Sequence, residues 1–206
     1  MNKAARREQI LNNAREIFAR RGYHAATIDD IVAAAGIARG TFYLYFTDKR
    51  DIFEEIVDRA LARLGAAIER VDPHDPTRTV ADQVRANIRR IVTLLLEDHA
   101  TTKIFLSDVG GVDPDFDQKL QAFYDEIAAI LRRSLQDGQA LGIVVAGDAQ
   151  LYAFLTLGAL KELLCQIVLR GWPQPVDELV DKMFSFLRGG YLRVDLVPSV
   201  APKAGP

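Results

Sequence analysis

Catalysis by a side-chain nucleophile or a bound metal needs particular residue types at set spacing, and this sequence has no such constellation. It contains no G-x-S-x-G, P-loop, G-x-G-x-x-G or H-E-x-x-H segment, and its four serines lie outside any nucleophile signature. Its one cysteine, Cys165, can form no intramolecular disulfide, and His24, His74 and His99 have no zinc-like spacing with it or with one another. Neither an enzyme, nor a metal, nor a cofactor is expected. A denser group of polar residues lies between positions 27 and 49. There Arg39 offers a guanidinium and Thr41, Tyr43 and Tyr45 offer hydroxyls, beside Gly40, which lets the backbone approach a partner closely. Groups of these types hold phosphates and read base edges.

The charge distribution points the same way. The whole chain carries a formal net charge of −2. Residues 1–50, however, hold nine Lys or Arg against five acids, a net of +4, and the remainder holds seventeen against twenty-three, a net of −6. A basic reader joined to an acidic body is the electrostatic footprint of nucleic-acid binding. Apolar residues make up 49% and charged residues 26%, as in soluble globular chains, so neither disorder nor a membrane partner is expected. The start, Met1-Asn2-Lys3, leads into no apolar signal segment, and a cytoplasmic location is expected.

Elements that could position the polar group follow from hydrophobic period and punctuation. Ile10, Leu11, Ala14, Ile17 and Phe18 recur at three and four, predicting a helix over about 4–21 that stops at Gly22. Thr27 and Asp30 form an acidic capping box that opens a short helix at Ile28, and Gly36 supplies a sharp turn. A third helix is predicted from about Ala38 to Tyr45. Asp48 and Asp51 suit a second box, opening a long helix toward Arg70. After the loop Val71–Pro76, helices are predicted over Val80–Glu97, Thr102–Val109 and from Pro114, capped by Asp113, to about Gln136, with breaks at Gly138 and Gly142. Ala149–Leu169 has the length of a membrane span, but Lys161, Glu162 and Gln166 at its centre favour a helix buried in protein on nearly all sides. A last helix covers about Val176 to Leu192. The class is all-α, with about nine helices: an N-terminal three-helix helix-turn-helix domain and a C-terminal helical domain.

Thr27 to Phe46 thus reads as two short helices around a glycine turn, with Phe42 and Phe46 bracing the second from inside. Gly22-Tyr23, Thr27, Ala35-Gly36, Gly40-Thr41-Phe42-Tyr43-Leu44-Tyr45-Phe46 and Lys49 closely resemble the DNA-binding domain of the tetracycline-repressor (TetR) family over about the first 55 residues. Val32 departs from the alanine often found at that point. The resemblance implies that Tyr45 and Lys49 hold phosphates while Ala38, Arg39, Thr41 and Tyr43 face the groove of double-stranded DNA. For Tyr43 and Tyr45 a core ring with a wet hydroxyl is the competing reading.

The resemblance further implies a small-molecule site among the middle helices and a homodimer through the last two, on a pseudo-palindromic operator. Residues 1–50 are then the reader, 51–196 the ligand-binding and dimerisation domain, and 197–206, rich in Pro, Ala and Gly, a disordered tail. Phe105, Phe116, Phe123, Tyr124, Phe154 and Leu157 are the pocket candidates, although phenylalanines at helical spacing also serve as plain core. The expected function is a transcriptional repressor released by a hydrophobic or amphipathic ligand. A dimeric DNA-binding regulator that senses no small molecule is the alternative.

Overall fold

A computed structural model of the chain describes residues 2–107 and 114–194. The predicted cap at Asp113, the predicted helix end at Val109 and the tail from 197 lie outside the described residues. Among those described there are nine α-helices: α1 Lys3–Arg21, α2 Ile28–Ala35, α3 Arg39–Phe42, α4 Lys49–Ala67, α5 Val80–Glu97, α6 His99–Leu106, α7 Pro114–Ala140, α8 Ala149–Leu164 and α9 Val176–Gly190. The only β pairing among them is an isolated bridge between Val144 and Leu192.

The chain divides into two compact units. One comprises residues 1–63 with 95–125, and the other residues 64–94 with the chain from 126 onward. Compactness therefore groups α6 and the first part of α7 with the N-terminal helices, which the sequence pattern alone did not indicate.

In the first unit the apolar face of α1, Ile10, Leu11, Ala14, Ile17 and Phe18, is buried together with Ile31 and Ala35 of α2 and Ile52, Phe53, Ile56 and Val57 of α4. Each of the larger side chains among these gains about 1.5–3 kcal/mol from leaving water, and the shared core fixes three helices against one another. The Thr27 box forms as expected: Asp30 N–H donates to Thr27 Oγ1 at 3.1 Å, and Thr27 N–H donates to Asp30 Oδ2 at 3.0 Å. Gly36 ends α2 at φ +63°, in the left-handed region that glycine enters without strain. Before α4, Asp48 accepts from Asp51 N–H, while the Asp51 carboxylate reaches back one residue further than expected, to Thr47 N–H at 3.0 Å.

Helix α6 begins three residues earlier than its apolar pattern predicts, because Asp98 caps it by accepting from Thr101 N–H. The same carboxylate pairs with Arg15 of α1 and Arg63 of α4. Burial works against its ionised form, but the Thr101 hydrogen bonds and the two guanidinium groups outweigh burial and hold its pKa below the ordinary value. A depressed carboxylate adds stability that is present above the unfolded-state pKa and is lost as pH falls through the folded one. Asp98 is thus a polar joint of three helices.

In the second unit Leu135, Ile143, Val144, Ala149, Ala153, Phe184, Leu187 and Tyr191 form one core cluster, with Tyr152 stacked on Tyr191 at 5.0 Å. Gly138 does not break α7. It lies inside the helix, and a Cβ there would stand 2.6 Å from Val144 Cγ2. The glycine is needed for close approach of the following segment rather than for a turn.

The expectation for Ala149–Leu169 is corrected. Only 22% of its most apolar window is buried, and its last turn, Cys165–Leu169, widens into a π-helix. Residues 151, 154, 155, 158, 161 and 162 are exposed in a helical i, i+3, i+4, i+7 series, so one whole face stands outward. On it lie Leu151, Phe154 and Leu155, each more than half exposed.

Candidate nucleic-acid interface

Around the turn between α2 and α3 most of the polar group is exposed while Phe42 and Phe46 point in. Phe42 is fully buried and Phe46 is 1% exposed, with their rings 6.0 Å apart. Between and around these anchors Thr27, Ala38, Arg39, Gly40 and Tyr43 are exposed, and Thr41 and Tyr45 are half-buried. Phe42 and Phe46 are turned inward, whereas Arg39 and Tyr43, an i, i+4 pair, are turned to solvent, Tyr43 lying just beyond the end of the α3 helix.

Helix α3 is shorter than predicted. Leu44 N–H bonds to Thr41 C=O and Tyr45 N–H to Phe42 C=O, both in the tighter i to i+3 pattern, so the α-helix ends at Phe42 and Tyr43–Tyr45 form turns. Leu44 is thrown outward and is 72% exposed. A large apolar side chain held in water beside Tyr43, itself 48% exposed, is a feature of this surface that hydrophobic period alone assigned to no role.

Arg39 is held at both ends of its fork. One terminal nitrogen donates to Asp29 Oδ1 at 2.5 Å, and the other donates to Tyr43 Oη at 3.5 Å. The Tyr43 and Asp29 hydrogen bonds raise the Arg39 pKa above its ordinary value, so the group is a permanent cation.

Lys49 is placed differently from what the resemblance implies. Its Nζ donates to the carbonyls of Tyr23, His24 and Ala26 at 2.9, 3.1 and 3.2 Å and lies 4.5 Å from the centroid of the Tyr23 ring. An ammonium has three protons, and three carbonyls take them. In this geometry the side chain ties the loop between α1 and α2 to the start of α4, and a phosphate contact would require one of these bonds to be given up.

Four of the six pocket candidates, Phe105, Phe116, Phe123 and Tyr124, lie in the first unit, and Phe154 and Leu157 lie in the second. Phe116 stacks on Tyr23 at 4.2 Å and packs at a tilt on Phe53 at 4.3 Å, inside the aromatic core of the first unit. Phe105 packs on Phe123 at 4.1 Å, and Tyr124 Oη donates to the Phe105 carbonyl at 2.6 Å. Phe154 and Leu157 belong to the second unit, Phe154 on the exposed face of α8 and Leu157 half-buried. Among the described residues no cluster of three or more His, Cys, Asp or Glu is disposed to hold a metal.

Two family models match the chain. Residues 10–56 match the bacterial regulatory proteins of the tetR family, and residues 77–164 match the tetracyclin repressor-like C-terminal domain. The chain is 26% identical over 184 residues to the fatty acid metabolism regulator protein of Bacillus subtilis, covering 88% of this chain and 93% of that one. Among solved structures, the fatty acid degradation regulator FadR of Bacillus halodurans superposes with a TM-score of 0.78 at 23% identity, covering 92% of this chain and 98% of that one. FadR of Bacillus subtilis, solved in complex with stearoyl-CoA, gives 0.71 at 25% identity over 89% of this chain and 98% of that one. With the N-terminal model lying on the exposed polar face and a second model of the same family on the helices beyond it, the chain belongs to the TetR family of DNA-binding transcriptional regulators, which are not enzymes.

Proposed function

We propose that this regulator is a homodimeric repressor that leaves a pseudo-palindromic operator when a long-chain fatty acyl thioester binds to its C-terminal helices. The observation that carries the effector class is the similarity, over nearly the whole of both chains, to a fatty acid metabolism regulator, and the relative solved with stearoyl-CoA supports it. The N-terminal helices, about residues 1–50, read DNA, and residues 51–196 bind effector and partner. Within the reader, Arg39 contacts guanine, Ala38, Gly40, Thr41 and Tyr43 face the groove, and Thr27 and Tyr45 hold phosphates. Lys49 acts first as the tether described above.

The dimer reading rests on α8 and α9. Leu151, Phe154 and Leu155 on α8 and Phe186 on α9 are 53–63% exposed, and Gly158, in line with them, has open space where a Cβ would stand. The same stripe ends on Lys161 and Glu162, a pattern of apolar core and charged rim that suits a second copy of the chain. Phe154 is then an interface residue rather than a pocket residue. The close packing of Phe105 on Phe123 favours the one competing reading, a dimeric DNA-binding regulator that takes no small molecule.

Effector release is tested by titrating stearoyl-CoA, with coenzyme A alone as control, into the full chain bound to a fluorescent operator selected from random duplexes. Operator affinity is expected to fall at least about tenfold with the acyl thioester, within the usual range of coupling between sites. By linkage the operator must weaken stearoyl-CoA binding by the same factor. Binding of stearoyl-CoA with no change in operator affinity would separate the pocket from regulation. No binding at all would favour the effector-free reading.

A further inference from the structure

We propose that Asp29 is a specificity-determining residue of the reader, which aims the Arg39 guanidinium at base edges and opposes its capture by phosphate. The inference rests on the DNA-reading assignment above. Asp29 is the second residue of α2 and Arg39 the first residue of α3, so their ion pair spans the Gly36 turn and links the two helices of the motif. The side chains are 69% and 56% exposed, respectively. An ion pair this open contributes little to stability, and what it fixes is direction. With one terminal nitrogen on the Asp29 carboxylate and the other on Tyr43 Oη, the plane of the guanidinium is set from two sides. Arginine has five N–H donors. Those two bonds leave Nε–H and one N–H on each terminal nitrogen, enough for the bidentate contact to guanine O6 and N7.

An arginine on a basic surface with no such restraint pairs with any phosphate it can reach, which adds affinity without sequence choice. The Asp29 carboxylate restrains Arg39 and places a negative charge on the face that meets the DNA backbone. Both effects lower binding to random duplex and leave the guanine contact intact. A residue that merely braced α2 against α3 would alter stability and leave base preference unchanged.

The experiment selects duplexes from a random pool with the full-length wild type, Asp29→Asn, Asp29→Glu, Arg39→Ala and the Asp29→Asn/Arg39→Ala double variant, then measures operator and random-duplex affinity over a salt series. For Asp29→Asn the ratio of operator to random-duplex affinity is expected to fall about tenfold, at the same base position that Arg39→Ala relaxes. Random-duplex affinity at low salt is expected to rise about two- to fivefold, because a charge opposing the phosphates is gone. Asp29→Glu should recover most of the preference, and the double variant should lose no more than Arg39→Ala alone, since the two residues act as a unit. Asp29→Asn selecting the same sequences with the same ratio, in a chain of unchanged melting temperature, would overturn the proposal. A folded wild type that enriches no sequence would instead remove the DNA-reading assignment itself.

Discussion

Phe154→Glu is expected to yield a folded monomer whose operator affinity is lower by at least about a hundredfold. The side chain is 54% exposed in the single chain, so the substitution removes little from the internal core. In a dimer the same position lies at the centre of the α8 stripe, where a buried carboxylate without a partner is costly. Because two readers on one dimer engage two half-sites, the second contact is made at a high effective concentration, and losing it forfeits a factor of about 10² to 10⁴. Sedimentation equilibrium, circular dichroism and operator titration on one preparation separate assembly from folding. A variant that remains dimeric with wild-type affinity would place the interface elsewhere.

Phe116→Ala is expected to destabilise the chain by about 3–5 kcal/mol, the usual cost of emptying an aromatic position in a closed core. The ring is 3% exposed, stacks on Tyr23, packs at a tilt on Phe53, and meets His24 edge to face at 5.1 Å. Tyr23 also carries the Lys49 ammonium over its face, and Lys49 fixes the loop before α2. A cavity at Phe116 therefore loosens the platform on which the reader stands, and DNA affinity should fall together with stability. Urea unfolding gives the direct measure, with a midpoint lower by more than about 1 M at an ordinary m-value. A loss below about 1 kcal/mol would show that the ring lines an open space, as the sequence pattern allowed, and is not part of a packed core.

What the sequence disclosed here was mostly local. The ends of α1 and α2 are marked by groups that act within three or four residues: Gly22, the Thr27 box and Gly36 all lie where the pattern placed them. The inward anchors Phe42 and Phe46 follow from their i, i+4 spacing. Legibility failed where a residue answers to a partner distant in sequence. Gly138 looks like a helix breaker until Val144 is seen against it. The carbonyls of residues 23, 24 and 26 around the Lys49 ammonium carry no signal near Lys49 in the sequence. Asp29 carries no periodic signal linking it to Arg39 ten positions on, and only the path of the turn brings them together. Hydropathy gave the length of α8 but not which side of it the chain covers, because an apolar stripe reads alike against a core and against a partner.

The central claim is that two copies of this chain read DNA by sequence through the surface around Arg39, and the measurement that tests it most directly is the stoichiometry and symmetry of the selected complex. Duplexes enriched from a random pool by the full chain should carry two inverted half-sites whose centres lie about one helical turn apart, roughly 34–36 Å, or somewhat more. Analytical ultracentrifugation should find two chains, or a multiple of two, on each such duplex. Equal affinity for every duplex, or single chains bound to sites without symmetry, would contradict the account.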